Sequence, residues 1–542
     1  MAPPCKTKLV DHMLTLKKII YSLHLIYIII VTISVATPIT AQQTIIWSLA
    51  GNGFWDKATN WTPPQVPTAI DTVIIEHDSV LIPNNVHAQA AQVFVGIASS
   101  SVPTGLGILA NGSLTISGAV DDGLTVAGNN TTLLNNGVLN IQNIAVHAIQ
   151  IREGLFNNSA SGTINIGPAI GAWGIYNLSA ATFENNGSVL INDTYGDAIH
   201  STSVFRNHGL IDVYDAGDDG IHSTVDTFFN FDTIRIKLVN NKGIFNRGSF
   251  TNETTGLITV DSAGTGFESD SYLDNLGIIC ISNCIRGMQN NSLLSNTDSI
   301  QVYNCGSGIL NTGDLHNESM GVIIIDSSST FGGLEVSDTI ENHGEIHISR
   351  TKSTALFNTG YFLNNGKLAI ENVHNGHGIS NCEIIVSNGG CDITNVAGTG
   401  IQTSEAGSSF VNRDTIDIRN TQVGFTVVEG SVINEGSILT LNSELQAIKV
   451  TAGAHLTNTG EMSTAESGKG LDVSEDGFIF HQSGMICLSG KDIGLHISDG
   501  GTIDIASPAD LFVRSNVGEP LVIELGGEFN CLGTLTAEHF IN

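Results

Sequence analysis

Phe183-Glu-Asn185-Asn-Gly187-Ser-Val189-Leu-Ile191 is the stretch that decides the fold, because the chain keeps rewriting it. Phe205-Arg-Asn207-His-Gly209-Leu-Ile211-Asp-Val213 repeats it, and so do Ile340-Glu-Asn342-His-Gly344-Glu-Ile346-His-Ile348 and Phe362-Leu-Asn364-Asn-Gly366-Lys-Leu368-Ala-Ile370. The anchoring asparagines read Asn135, Asn157, Asn185, Asn207, Asn230, Asn252, Asn275 and Asn296, then Asn317, Asn342, Asn364, Asn388, Asn412, Asn434 and Asn458, at spacings of 21 to 28 residues. Between them falls a second beat, Gly or Ala followed by an apolar residue: Gly174-Ile, Ala198-Ile, Gly220-Ile, Gly243-Ile and onward to Gly494-Leu. A fixed period of this size announces a repeat architecture.

Each repeat holds a period-2 strand (Ile-x-Ile or Val-x-Ile), a turn, a short strand opened by the Gly beat, and a third strand such as Phe-x-Asn. Helix competes poorly, since the strands are β-branched and Gly, Asn and Asp recur every few residues. The expected fold is all-β: a parallel β-helix of about 16 rungs, about 22 residues each. The repeated asparagine is expected at a left-handed corner, which Asn tolerates, with its amide bonding to its neighbours up the stack.

The ladder resembles that of right-handed parallel β-helix proteins of the pectin-lyase-like class, over residues of about 110 to 510, and the solenoid is expected to run through 110–542. Residues 42–109 open with Trp47-Ser-Leu-Ala-Gly-Asn-Gly-Phe-Trp55 and Asn60-Trp61, which resembles the head of exported bacterial β-helix adhesins and surface proteins. That resemblance implies an N-terminal cap over the open end of the solenoid, where unpaired backbone and core would otherwise meet water. Trp55 and Trp61 are also candidates for stacking on carbohydrate.

Residues 1–41 carry Lys6, Lys8, Lys17 and Lys18, an apolar run from Ile19 to Ala36, and Pro38-Ile-Thr-Ala41, the pattern of a signal peptide. The expectation is export to the surface or medium of a bacterium, without stable membrane insertion after cleavage. Residues 42–542 then keep 17 basic against 51 acidic side chains, a net charge near −34. Such acidity excludes nucleic acid and anionic membrane as partners. Seven cysteines lie beyond residue 41, an odd number with no C-x-x-C metal signature. Cys284 and Cys305, at equivalent rung positions, read as stacked thiols or as a cross-rung bridge.

One patch breaks the bland outer pattern. Asn192-Asp193-Thr-Tyr-Gly-Asp197-Ala-Ile-His200 and Tyr214-Asp215-Ala-Gly-Asp218-Asp219-Gly-Ile-His222 align 22 residues apart. Stacked like charges call for screening, protonation or a cation. Asp193, Asp197, Asp215 and Asp219 are therefore the candidate metal ligands, with Ca2+ as the hard cation they would suit. A weaker resemblance is to polygalacturonases, whose N-T-D and G-D-D motifs match Tyr195-Gly-Asp197 and Gly217-Asp218-Asp219 in order. It implies hydrolysis by Asp197, Asp218 and Asp219; a lyase variant would add Lys242 or Lys237 as base. The family's G-H-G rung reads Asn241-Lys242-Gly243, and the literal Gly376-His377-Gly378 comes much later. An enzyme also needs a walled cleft, and the long rung carrying Gly167–Trp173 is the candidate wall. His147, His208, His343, His374 and His455 read as solvated surface. The sequence thus favours an exported binding protein, adhesin-like, holding a polysaccharide or cell-surface ligand without covalent chemistry; a polysaccharide hydrolase or lyase is the alternative.

Overall fold

Parallel strands with no helices to cover them can bury an apolar face by coiling and stacking, and this chain does so almost without interruption. The computed structural model describes residues 42–97, 102–224, 227–330 and 332–539; the signal-sequence reading of residues 1–41 lies outside them. The described residues form 57 strands and one short 3-10 helix, Ala58–Asn60.

A typical coil runs Ser188–Thr194, Ile199–Ser201, Val204–Asn207, and the next begins at Leu210. Each strand pairs in parallel with its counterpart one coil on: Val189 with Ile211, Ile199 with Ile221, Phe205 with Phe228. These stacks are the first, second and third sheets. Parallel crossovers of this kind wind right-handed, and the repeat is of the right-handed type. There are about 21 turns rather than the 16 that the Gly beat suggests, a stack roughly 95 Å long at one strand spacing per turn.

The extra turns come largely from the head of the chain. Thr44–Trp47 pairs with Thr72–Ile75, that strand with Gln92–Val95, and that with Leu124–Val126. The described strands between residues 42 and 109 are therefore themselves turns of the solenoid. Trp47, Trp55 and Trp61 are at most 2% exposed. They pack edge-to-face at 5.0 and 5.1 Å, and the Trp61 indole N–H donates to the Trp55 carbonyl at 2.8 Å. With no free ring face they cannot serve as sugar platforms; they close the core.

Inside, Ile, Val and Leu line the first and second sheets, and Phe156, Phe183, Phe205, Phe228 and Phe250 stack with centroids 4.6 to 5.1 Å apart in the third. Each such side chain contributes roughly 1.5–3 kcal/mol on leaving water. The Gly beat reflects crowding: a Cβ on Gly243 would lie 2.3 Å from Val260 Cγ1 and 2.5 Å from the Gly266 carbonyl oxygen.

The asparagine ladder is present, with two corrections. Its members are Asn158 and Ser387 where the repeat suggested Asn157 and Asn388, because a strand shift of one residue exchanges inside for outside. The side chains bond up the stack at 2.7 to 2.9 Å from Asn135 to Asn364. They also serve the corner backbone, as where Asn275 Nδ2 donates to the Ser299 carbonyl at 3.1 Å and Asn185 Oδ1 accepts from the Gly187 N–H at 3.2 Å. The left-handed residues form a different stack, after the first sheet: Asp193, Asp215, Leu238, Ser262, Asn283, Asn304, Asn372, Asn395, Asn420 and Asn442, with φ between 52° and 64°. Capping, not backbone permissiveness, is the job of the buried ladder. Cys284 and Cys305 are buried free thiols on adjacent turns.

Candidate functional site

The site lies at the first corner, between the first and second sheets. Asn192 pairs with Tyr214 and Tyr214 with Lys237, while His200 pairs with His222 and His222 with Phe245, so equivalent residues on successive turns stand one strand spacing apart. The corner sorts the acidic residues by depth. Asp193 and Asp215 occupy the left-handed bend and are exposed; Asp193 Oδ2 accepts the Ala169 N–H at 3.0 Å. Asp197 and Asp219, four residues on, are each 3% exposed. The four expected metal ligands thus form two separate pairs, and Asp218, exposed, joins the inner one: oxygens of Asp197, Asp218 and Asp219 lie within 4.8 Å of one another.

The inner pair is heavily engaged. Asp197 Oδ1 accepts the Asp219 amide at 3.2 Å, while Oδ2 lies 2.8 Å from His200 Nδ1 and 3.4 Å from His222 Nδ1. Asp219 Oδ1 accepts the Lys242 amide at 3.0 Å, and its Oδ2 stands 3.8 Å from His222 Nδ1. Burial, then the charges of Asp197 and Asp218, push the Asp219 carboxyl up to about 6. Burial works the same way on Asp197, but the bonds from His200, His222 and the Asp219 amide outweigh it and hold that carboxyl below its usual value.

Lys242 meets this cluster through its amide. Its ammonium is 3.0 Å from Glu268 and 3.3 Å above the Phe245 ring, directed toward the following turn. Lys237 and Arg235 lie on the first sheet and line a neighbouring groove with Tyr214 and Pro168. Gly376-His377-Gly378 sits seven turns beyond Ile221, roughly 34 Å along the stack.

The long rung builds little wall. Pairing of Ile166 with Ile191, Ile170 with Thr194, Ile175 with Ile199 and Thr182 with Val204 leaves one extra residue at the Gly167 bend and two after Asn177. The relief comes from Trp173, whose ring stacks on His200 at 4.3 Å and on His147 at 5.0 Å. His147, expected in solvent, is half-buried with Nδ1 2.7 Å from Asp122 Oδ1. Beside this ridge runs an open cleft of ≈ 1120 Å3, lined by Trp173, Asp193, Tyr195, Asp215, Asp218 and Asn240 among others. Tyr195 is 83% exposed.

Asp122, His147, Trp173, Asp197, Asp219 and Lys242 prove to be one column, each immediately before a Gly or Ala beat, joined by amide-to-carbonyl bonds such as Gly123 to His147 and Gly174 to Asp197. Reading the residue before every beat would have found the first three. Comparison of the chain with protein-family models, with curated proteins and with solved structures gives no match.

Proposed function

We propose that this parallel β-solenoid is an exported, adhesin-like protein that holds a polysaccharide or cell-surface glycan strand in the first-corner cleft, without covalent chemistry. The observation that carries this reading is the cleft itself, a place where aromatic rings and exposed carboxylates stand together on the outer surface. Tyr195 offers a free ring, and Asp193, Asp215 and Asp218 offer acceptors for sugar hydroxyls. An acidic lining and an acidic chain favour neutral over uronic-acid polymers. Export rests on the leader-like residues 1–41.

The absence of chemistry is supported by depth. A catalytic carboxyl must reach its substrate, yet Asp197 and Asp219 are nearly closed off and bonded to their own corner. One observation favours the second reading, a polysaccharide hydrolase: a carboxyl pushed up to about 6 beside one held low is the division of an acid and a base. Immobilised neutral and uronic polysaccharides, with and without Ca2+, separate the two. The binding reading expects retention lost on Tyr195→Ala with no new reducing ends. Reducing ends that vanish in Asp218→Asn and Asp219→Asn would replace it with the hydrolase.

A further inference from the structure

Beneath the cleft, two imidazoles converge on one carboxylate oxygen. His200 and His222 occupy the same position on successive second-sheet strands, so the register fixes their spacing. Their Nδ1 atoms lie 2.8 and 3.4 Å from Asp197 Oδ2. A tetrahedral ion with bonds near 2.0–2.1 Å spaces its donors by about 3.3 Å; the two Nδ1–Oδ2 distances bracket that spacing, and all three donor atoms lie within 4.8 Å of one another. The supporting shell is in place: the Asp219 amide fixes Asp197 Oδ1, and Trp173 stacks on His200 at 4.3 Å.

We infer that Asp197, His200 and His222 form a binding site for a transition-metal dication such as Zn2+, with Asp219 Oδ2, 3.8 Å from His222 Nδ1, at its edge. The chemistry of the set selects the ion. Two nitrogens with one or two oxygens suit Zn2+ and its neighbours, whereas Ca2+ takes six to eight oxygens. This set differs from the all-carboxylate one expected from sequence, since Asp193 and Asp215 lie outside it. Among the described residues, the only groups of three or more such donors within 4.8 Å are this triad and Asp197 with Asp218 and Asp219, and both share Asp197.

A second cluster in the same solenoid sharpens the point. Asp472 and His496 also pair in register on second-sheet strands, with Nδ1 and Oδ1 2.5 Å apart. There the Lys469 ammonium lies 3.0 Å from both, filling the cation position from within the chain. Lys242 stands in the same column two turns beyond Asp197, and its ammonium is taken by Glu268. Three carboxylates gather at the Asp197 corner, and among the described residues no lysine or arginine is ion-paired to them. An external dication supplies that charge.

The purified full-length chain, stripped with EDTA and titrated calorimetrically with Zn2+ and then Co2+ in excess Ca2+, tests the inference. One saturable equivalent is expected that Ca2+ does not displace, with the intense visible absorption of nitrogen-ligated four-coordinate Co2+. His200→Gln/His222→Gln is expected to lower affinity roughly 100-fold or more, since supporting-shell changes alone cost 10–100-fold; His496→Gln should leave that equivalent intact. No saturable uptake overturns the inference, as does uptake unchanged in the double variant. Should the double variant fold poorly, thermal melting decides: Zn2+ must raise the melting temperature of the parent chain and not that of Asp197→Asn.

Discussion

The bend that carries Asn372, Asn395, Asn420 and Asn442 also carries, several turns earlier, Asp193 and Asp215. Both regions use the left-handed backbone, and both stack identical side chains about one strand spacing apart. In the asparagine region each amide donates to the one below, at 3.1, 2.9 and 2.7 Å. Carboxylates have no proton to donate, so stacking gives them only repulsion. The aspartate region answers by keeping Asp193 and Asp215 in solvent and surrounding the deeper Asp197 and Asp219 with backbone amides and imidazoles. A solenoid multiplies whatever a rung position holds: a group that both donates and accepts becomes a ladder, and a group that only accepts becomes a site.

Substitutions can test this contrast, beginning with what the two regions share. Phe228→Ala removes a ring stacked at 4.6 and 4.8 Å on its neighbours and should cost about 4 kcal/mol. Solenoids can lose turns locally, so hydrogen exchange around Phe205 and Phe250 should accompany the denaturation midpoint. Asn275→Ala takes out a buried ladder member that donates to Asn296 and Ser299 and accepts from Asn252. The stranded partners should cost about 2–3 kcal/mol, and a loss near zero would show that the ladder is dispensable to the corner.

The pH dependence comes next. Asp219 has its carboxyl raised from 3.8 to about 6 in the folded state, so the native chain binds more protons there than the unfolded chain. Its contribution is full below about pH 4 and is lost as pH rises through about 6. Discounted for screening, the loss is about 1–2 kcal/mol. Asp219→Asn keeps an acceptor for the Lys242 amide and should flatten that part of the curve, as read from urea midpoints at pH 4.5 and 7. Asp197, held low, works oppositely: its stabilisation is lost only as pH falls below the normal carboxyl range.

Exchanging the two stacks gives the smallest effects and the most direct comparison. Asn420→Asp breaks its bond to Asn395 and should cost about 0.5–1 kcal/mol at pH 7, less at pH 3. Asp215→Asn relieves repulsion at an exposed bend and should change stability by no more than about 0.5 kcal/mol, in the stabilising direction. Equal costs for both would mean the bend backbone, not the side-chain chemistry, sets the energy.

Much of this is legible in the chain itself. Phe183–Ile191 and its copies dictated strands of period 2, coils of about 22 residues and a stacked amide corner, because register propagates every local choice along the rod. The same alignment placed Asp197 beside Asp219 and His200 beside His222. What the repeats could not say was depth. Asn157 and Asn158 are adjacent in sequence and only one enters the ladder; Trp55 and Trp61 look like platforms and are core. Asp193 and Asp197 are both corner aspartates, yet one is in water and the other is nearly buried. Periodicity determines which residues are neighbours up the stack. The winding of each corner decides which of them lose their water, and the loss of water is what turns a row of aspartates and histidines into a candidate site.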